Sequence, residues 1–245
     1  MKILALIPAR MGSTRFPGKP MATICGQPMI GHVYKRVRSA KIVNLTAVAT
    51  CDKIIYNYIC SIGGAAIMTS KLHTRATDRC AEALLTLEKQ IKKKFNIVVM
   101  VQGDEPMVDS NMIFQAIKPL ISNKKLKVTN LLGKIKNDQE YHDHNCIKAV
   151  CDLKGNALYF SRAPIPATLK SGYFAQGKQI CIIGFQRDFL IQYTKFLPTP
   201  LEKAESIDML RILENGIKIK MIKTNKITQS VDTPNDLKKV RKIIK

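Results

Sequence analysis

The run Asn96-Ile97-Val98-Val99-Met100-Val101 leaves this chain few folds to choose from. Continuous β-branched segments of this kind are buried on both faces of a sheet, the setting of parallel strands covered by helices on either side. The neighbouring segments repeat the theme. Residues 3–8, 45–50 and 65–69 read as strands. Between them, residues 28–40 carry Met29, Ile30, Val33 and Val37 at helical spacing, and 52–62 form a second helix that stops at Gly63-Gly64. Residues 77–92 form a third helix, with Ala81, Leu84, Leu85, Leu87 and Ile91 on its apolar side. Strands alternating with helices predict an α/β fold, a doubly wound and mostly parallel sheet with right-handed crossovers. Ligands of such sheets bind beyond the carboxyl ends of the strands, so the chemistry is expected just after Pro8 and just after Val101.

The second half changes character. Residues 146–152 and 180–185 look like strands, linked by a Gly/Lys/Ser segment at 168–178 that reads as an extension or hairpin. Residues 198–215 are expected to be one helix, with Pro200 near its start and Gly216 at its stop. A strand at 217–223 and a closing helix at 234–244 follow, with Asp232 or Thr233 available as the N-cap. With no internal repeat and no low-complexity linker, residues 1–245 are expected to form a single domain. No apolar run approaches the roughly 18 residues of a membrane span. The apolar start ends at Pro8 and leads into a polar loop, so it reads as a first buried strand and the protein as cytoplasmic. The 7 cysteines include no CxxC pair and no zinc-ligand spacing, and Cys60, Cys146, Cys151 and Cys181 lie in apolar stretches as small hydrophobes.

The net charge of +22 attracts anions of every kind, from nucleotides and acidic metabolites to nucleic acid. The clusters Lys92-Lys93-Lys94, Lys124-Lys125 and Lys238-Lys239 have no aromatics interleaved, and the chain has no tryptophan. They read as solvated faces, and specific nucleic-acid binding is not expected. Asp138, Glu140 and Asp143 read as a solvated loop, with His142 and His144 in a polar turn.

Three segments carry chemistry. From Pro8 and Ala9 the first strand opens into Arg10-Met11-Gly12-Ser13-Thr14-Arg15-Phe16-Pro17-Gly18-Lys19, a loop of glycines, hydroxyls and cations. Glycine lets backbone N–H groups approach an anion closely, and the cations neutralise phosphate charge. The loop is neither a Walker A motif nor a dinucleotide GxGxxG. Gln102-Gly103-Asp104-Glu105 follows the most strand-like segment, where a carboxylate is well placed to hold Mg²⁺ against a nucleotide phosphate. Asp232, at a strand-to-helix junction, is a helix cap on its own and a metal ligand if the fold brings it beside Asp104.

The combination IPARMGSTRFPGKP, VQGDEP, ALYFSR and VDTP, in that order and over nearly the whole chain, closely resembles the 3-deoxy-manno-octulosonate (Kdo) cytidylyltransferases. The resemblance implies a fold of the nucleotide-diphospho-sugar transferase type, with a dimer contact at residues 168–176. It implies a homodimer that converts CTP and an acidic 3-deoxy-ulosonic sugar to the CMP-sugar and pyrophosphate, with Mg²⁺ as cofactor, for surface glycan or lipopolysaccharide synthesis. Arg10, Ser13, Arg15 and Lys19 are then expected to hold the triphosphate, with Pro8, Ala9, Thr77, Arg79 and Gln102 completing the nucleotide site. Arg10, Lys19 and Asp104 are expected to be catalytic, and Asp104 and Asp232 to bind Mg²⁺. Arg162, Gln179, Glu202 and Glu205 are expected to meet the sugar, and His73 and Asp78 to lie near the cytosine.

The departures from the family's pattern cluster on the acceptor side. Arg75-Ala76 replaces a serine-glycine pair. In the strand that usually reads His-x-Gly-x-Tyr-x-Tyr, this chain has Gln179, Ile183 and Phe185, and Met209 replaces a glutamine. A site that hydrogen-bonds a sugar discriminates strongly, so these changes predict an altered acceptor. The alternatives are CTP chemistry on an amino-modified octulosonate, a nine-carbon ulosonic acid or a phosphonate, or a non-catalytic nucleic-acid-binding relative.

Overall fold

The computed structural model of the chain describes residues 1–167 and 176–244, Gln176 by its backbone alone. In chain order the elements are β1 (Ile3–Ala9), a short β2 (Thr23–Ile24) and β3 (Gln27–Pro28) hairpin, α1 (Met29–Arg38), β4 (Leu45–Thr50), α2 (Lys53–Ser61), β5 (Ala65–Met68), α3 (Ala76–Ile91) and β6 (Ile97–Val101). The second half adds α4 (Ser110–Ser122), β7 (Val128–Gly133), α5 (Asp138–His142), β8 (Lys148–Cys151), β9 (Ala157–Ser161), β10 (Gln176–Gln186), α6 (Arg187–Tyr193), α7 (Pro200–Glu205), α8 (Asp208–Glu214), β11 (Lys220–Thr224) and α9 (Pro234–Ile243).

The main sheet runs β11-β7-β10-β6-β1-β4-β5, with the β8–β9 hairpin attached to β10. All neighbours along that path are parallel except at β10, which lies antiparallel to both β6 and β7. The mostly parallel α/β sheet predicted from sequence is the observed one. As its composition requires, β6 is buried on both faces: Val98 and Met100 join the core beneath α3, α6 and α8, while Ile97, Val99 and Val101 join the core beneath α1, α2 and α4. Burial of such side chains, at roughly 25 cal/mol per Å² of apolar surface, is what holds the layers together. Helix α4 sits very close on β10: a Cβ on Gly184 would lie 2.6 Å from Thr129 Oγ1 and 3.1 Å from the Ala116 carbonyl. A third, smaller cluster of Ile24, Met29, Val231, Leu237, Val240 and Ile244 fixes α9 against the first loop.

Several elements depart from the sequence reading. The helix expected at 198–215 is two helices, because Ser206 takes a left-handed conformation (φ 54°) that ends α7 and turns the chain. The strand expected from residue 217 begins at Lys220, because the Ile217 N–H bonds the Ile212 carbonyl and closes the end of α8. The strand expected at 180–185 is part of the longer β10, and the polar turn at His142 is the short helix α5. Cys60, read as buried, is exposed; the seven cysteines are free. The expected dimer contact at 168–176 lies outside the described residues, Gln176's backbone apart.

Glu202, expected to meet the sugar, has a structural role instead. It is fully buried, and its carboxylate accepts from Arg211 Nε at 2.7 Å and Nη2 at 2.6 Å, a fork-on-fork pair. It also closes the capping box of α7 with Thr199, while Arg211 lies 4.7 Å from the Tyr193 ring centroid. Glu202 therefore welds α7 to α8 and presents no free oxygen to a sugar. Glu202→Ala strands the Arg211 charge in the core and is expected to destabilise the protein by about 3–5 kcal/mol, measured by urea unfolding. A loss of activity without that loss of stability would restore Glu202 to the sugar site.

Candidate active site

The sheet puts β1 and β6 side by side, so the loops after Ala9 and Val101 leave the same edge. Their contact is tight: a Cβ on Gly103 would lie 2.9 Å from the Pro8 carbonyl, which explains a glycine there. The first loop folds over its own backbone, with the Ser13 and Gly18 N–H groups both bonding the Met11 carbonyl. The Met11 N–H in turn bonds Asp52 at the end of β4. The last strand-to-helix junction is drawn in by the Val231 N–H, which donates to the Asp104 carbonyl at 3.0 Å.

These bonds bring three distant residues together. Lys19 Nζ stands 2.7 Å from Asp104 and 3.4 Å from Asp232, and Arg15 reaches Asp232 at 2.9 Å. Burial works to depress the Lys19 pKa, but the two carboxylates prevail and hold it above the usual lysine value. Asp232 is raised, first by burial and then by the Asp104 charge, against the pull of Lys19 and Arg15. Asp232 is thus beside Asp104, the condition on which its sequence reading depended. Two carboxylates converging on one cation suit Mg²⁺, which takes one or two protein carboxylates and fills its shell with phosphate oxygens and water. Among the described residues there is no group of three or more acidic, His or Cys side chains placed to hold a metal alone.

Around this centre lie two cavities that share Arg10, Arg15, Arg75, Gln102 and Asp104. The one of about 260 Å³ is walled by Pro8, Ala9, Ser13, Lys19, His73 and Arg79. Arg10 is exposed there and has no side-chain partner among the described residues, which leaves its guanidinium open to an anion. Arg79 is buried and braces the 69–73 loop through Thr69 Oγ1 and the carbonyls of Ser70 and His73. Thr77 lines neither cavity; it is fully buried and its hydroxyl donates to Asp208. Asp78 faces Arg211 at 3.8 Å.

The second cavity, about 370 Å³, holds Asp232, Arg162, Gln179, Cys181, Ile183, Asp208 and Met209. Arg162 lines it, but its donors go to the carbonyls of Glu205, His144 and Ser206. Glu205 does not line it; its carboxylate accepts from the Ser161 hydroxyl and the Arg162 N–H and so positions Arg162. Phe185 is buried in the core, so of the two positions lacking tyrosine hydroxyls only Ile183 faces the cavity. Asp138 and Asp143 are exposed, as read, but Glu140 is half-buried and pairs with Lys178, and Glu140 and Asp143 both line this cavity. Arg75 spans the two cavities, held by Ser206 Oγ at 3.0 Å, Glu202 at 3.2 Å and Asp208 at 3.6 Å.

Sequence reasoning passed over Lys178, Asp208 and Glu105 as site residues. Asp208 had no local signal, being brought in by the break between α7 and α8. Glu105 did have one, its place in the QGDEP element. Its side chain is buried with Oε2 unpartnered, and burial, then the Asp104 charge, pushes its pKa up to about 8 against the pull of Lys178.

Cations, a paired carboxylate centre and a second polar cavity at the carboxyl edge of an α/β sheet define a nucleotidyltransferase site. The cytidylyltransferase family model matches residues 4–219. The chain is 44% identical over 245 residues to the 3-deoxy-manno-octulosonate cytidylyltransferase of Fusobacterium nucleatum, covering all of this chain and 98% of that one. The Trichlorobacter lovleyi enzyme of the same name is also 44% identical, over 256 residues, covering all of this chain and 99% of that one. A solved CMP:2-keto-3-deoxy-manno-octonic acid synthetase complexed with CTP superposes with a TM-score of 0.88 at 35% identity, covering 99% of this chain and 98% of that one. This chain belongs to the Kdo cytidylyltransferase family, and its chemistry is CTP-dependent cytidylyl transfer. No helix of the described residues is long and apolar enough to cross a membrane.

Glu105 gives the site a measurable pH signature. Its pKa rises from 4.5 when unfolded to about 8 when folded, so the folded state keeps a proton that the unfolded state releases. Stability conferred by that proton is full below about pH 4.5 and is lost as pH rises through about 8. Glu105→Gln cannot ionise and is expected to gain stability relative to the parent between pH 5 and pH 8.5, read from urea midpoints without added metal. Parallel profiles for the two proteins would show that Glu105 is ionised in the fold.

Proposed function

We propose that this protein transfers CMP from CTP to an acidic 3-deoxy-ulosonic sugar, Kdo or a close analogue, for surface glycan or lipopolysaccharide synthesis. The observation that carries the reading is the pair of cavities meeting at Asp104. The smaller, with Arg10, Ser13 and Lys19, takes the triphosphate; the larger takes the acid. The sugar's anomeric oxygen attacks the α-phosphorus in line, the bond to the β-phosphate oxygen breaks, and pyrophosphate leaves. Arg10, Arg15 and Lys19 neutralise the triphosphate and hold it in line, so the protein's work is positioning and charge stabilisation. Asp104 and Asp232 are the residues that would hold Mg²⁺, which when bound supplies Lewis-acid stabilisation of the phosphate oxygens. Gln102, at the junction, lies within the space both substrates share. A cytoplasmic homodimer is part of the same proposal, as the family resemblance implies.

A second reading of the acceptor is favoured by Arg75, Ile183 and Met209, which line the acid's cavity and are positions where the sequence reading expects a departure from the family pattern. The same CTP chemistry would then serve an amino-modified octulosonate, a nine-carbon ulosonic acid or a phosphonate. Pyrophosphate release from CTP and Mg²⁺ with Kdo tests the first reading, and a panel of those acids the second. Asp104→Asn is expected to lower kcat at least about a hundredfold with the fold retained by circular dichroism. Near-normal turnover in that variant would remove Asp104 from the metal site.

A further inference from the structure

The acceptor cavity is walled by β10, and β10 contains an irregularity. Ile180 pairs with Leu131 of β7 and Ile183 with the next residue, Asn130, so Cys181 and Ile182 have no counterpart on β7. Such a bulge leaves backbone groups outside the ladder and needs something to satisfy them. Asn130 does so. Its side chain is fully buried, and Nδ2 lies 2.7 Å from the Ile180 carbonyl, 3.2 Å from that of Leu131 and 3.4 Å from that of Ile182.

Three carbonyls around one amide nitrogen fix which way the amide faces. Turned over, it would set Oδ1 against three oxygens with no proton between them. Asn130 Oδ1 therefore points away from the bulge, and there it accepts from Gln179 Nε2 at 2.7 Å. Asn130 thereby fixes the second amide as well. Gln179 must turn its nitrogen to Asn130, which leaves Oε1 without a partner among the described residues, on a side chain that lines the cavity. The Gln179 backbone is pinned too, its N–H donating to the Ile147 carbonyl at 2.8 Å.

We propose that Asn130 is a positioning residue for the acceptor: by clamping the β10 bulge it holds Gln179 with its amide oxygen facing the substrate, so this point of the cavity selects a hydrogen-bond donor. The donor is a hydroxyl or an ammonium of the acid; a fluorine, an ether or a carbonyl at that place is refused, because two acceptors would meet unpaired. The proposal rests on the cytidylyltransferase reading and says which face of its acceptor the chain inspects. The bulge is also tied to the metal loop, since the Gln102 N–H donates to the Cys181 carbonyl at 3.1 Å.

The test is steady-state kinetics with CTP saturating and the acid varied. Gln179→Met keeps the shape but removes the oxygen; it is expected to raise the acid's KM about tenfold, with kcat and the KM for CTP within about twofold. Asn130→Ala is expected to raise the same KM, and the double variant to be no worse than the more impaired single, because the two residues act as one unit. If Asn130→Ala does not fold, Gln179→Glu replaces it: a carboxylate beside Asn130 Oδ1 has no proton to give, so its acid KM should exceed that of Gln179→Met. Kdo analogues with each hydroxyl in turn replaced by fluorine should reveal one position that the parent rejects and Gln179→Met does not. An amino analogue preferred over the hydroxyl compound assigns the donor as an ammonium; the reverse preference assigns a hydroxyl. An unchanged acid KM in Gln179→Met, or single effects that multiply, would overturn the inference while leaving the transferase reading intact. No pyrophosphate from the parent with any acid would overturn both.

Discussion

The ammonium of Lys19 between Asp104 and Asp232 is the interaction on which the rest of the site depends. It joins residues 19, 104 and 232, drawn from the first loop, the end of β6 and the entrance to α9. The two half-buried carboxylates repel each other, so that the Asp104 charge raises the pKa of Asp232, and the cation between them opposes that effect. The backbone is built to force the meeting: Gly103 admits the Pro8 carbonyl, and the Val231 N–H clips the last junction to Asp104. The small third core then holds α9 in place, so the fold fixes the geometry before any ligand arrives. An arrangement with its charges already in position needs little reorganisation when a triphosphate enters.

The acceptor side is held by different means. There the charges are drawn into the frame: Arg211 by Glu202, Arg162 by three carbonyls, and Glu205 by Ser161 and the Arg162 N–H. This network turns inward and sets the shape of the cavity, with Arg75 and Asp208 at its surface. Charged residues predicted to touch a sugar thus hold the cavity wall in place. The distinction is physical: a carboxylate already accepting two strong hydrogen bonds in a buried pair has little left to offer a hydroxyl.

What was legible in the sequence follows from how local each signal is. The β-branched run of β6, the helical spacing of α1 to α3 and the loop after β1 are local patterns, and each element came out within a few residues of its expected ends. The helix α4 was not read, because Pro119 and the polar turn that follows break the pattern that its buried face supplies. Strand β7 was missed because Asn130 and Gly133 interrupt its apolar run, and both are there for reasons that lie in β10. Asp104 and Lys19 were legible because they sit in dense motifs. The inward roles of Glu202, Glu205 and Thr77 were not, since burial and partner choice depend on the break at Ser206, which nothing in the surrounding residues announces.

The same contrast explains why the departures from the family pattern gather on one side. Donor residues stand on loops at the ends of β1 and β6, adjacent parallel strands whose spacing the sheet sets, so a change there disturbs charge and backbone together. Of the residues lining the second cavity, Gln179, Cys181 and Ile183 stand on β10, an antiparallel strand whose bulge is satisfied by Asn130 from the neighbouring strand and not by the side chains that face the cavity. Gln179, Cys181 and Ile183 can therefore change without unmaking the ladder. A strand clamped from behind is free to vary in front, and a transferase built this way can keep its CTP chemistry while changing the acid it accepts.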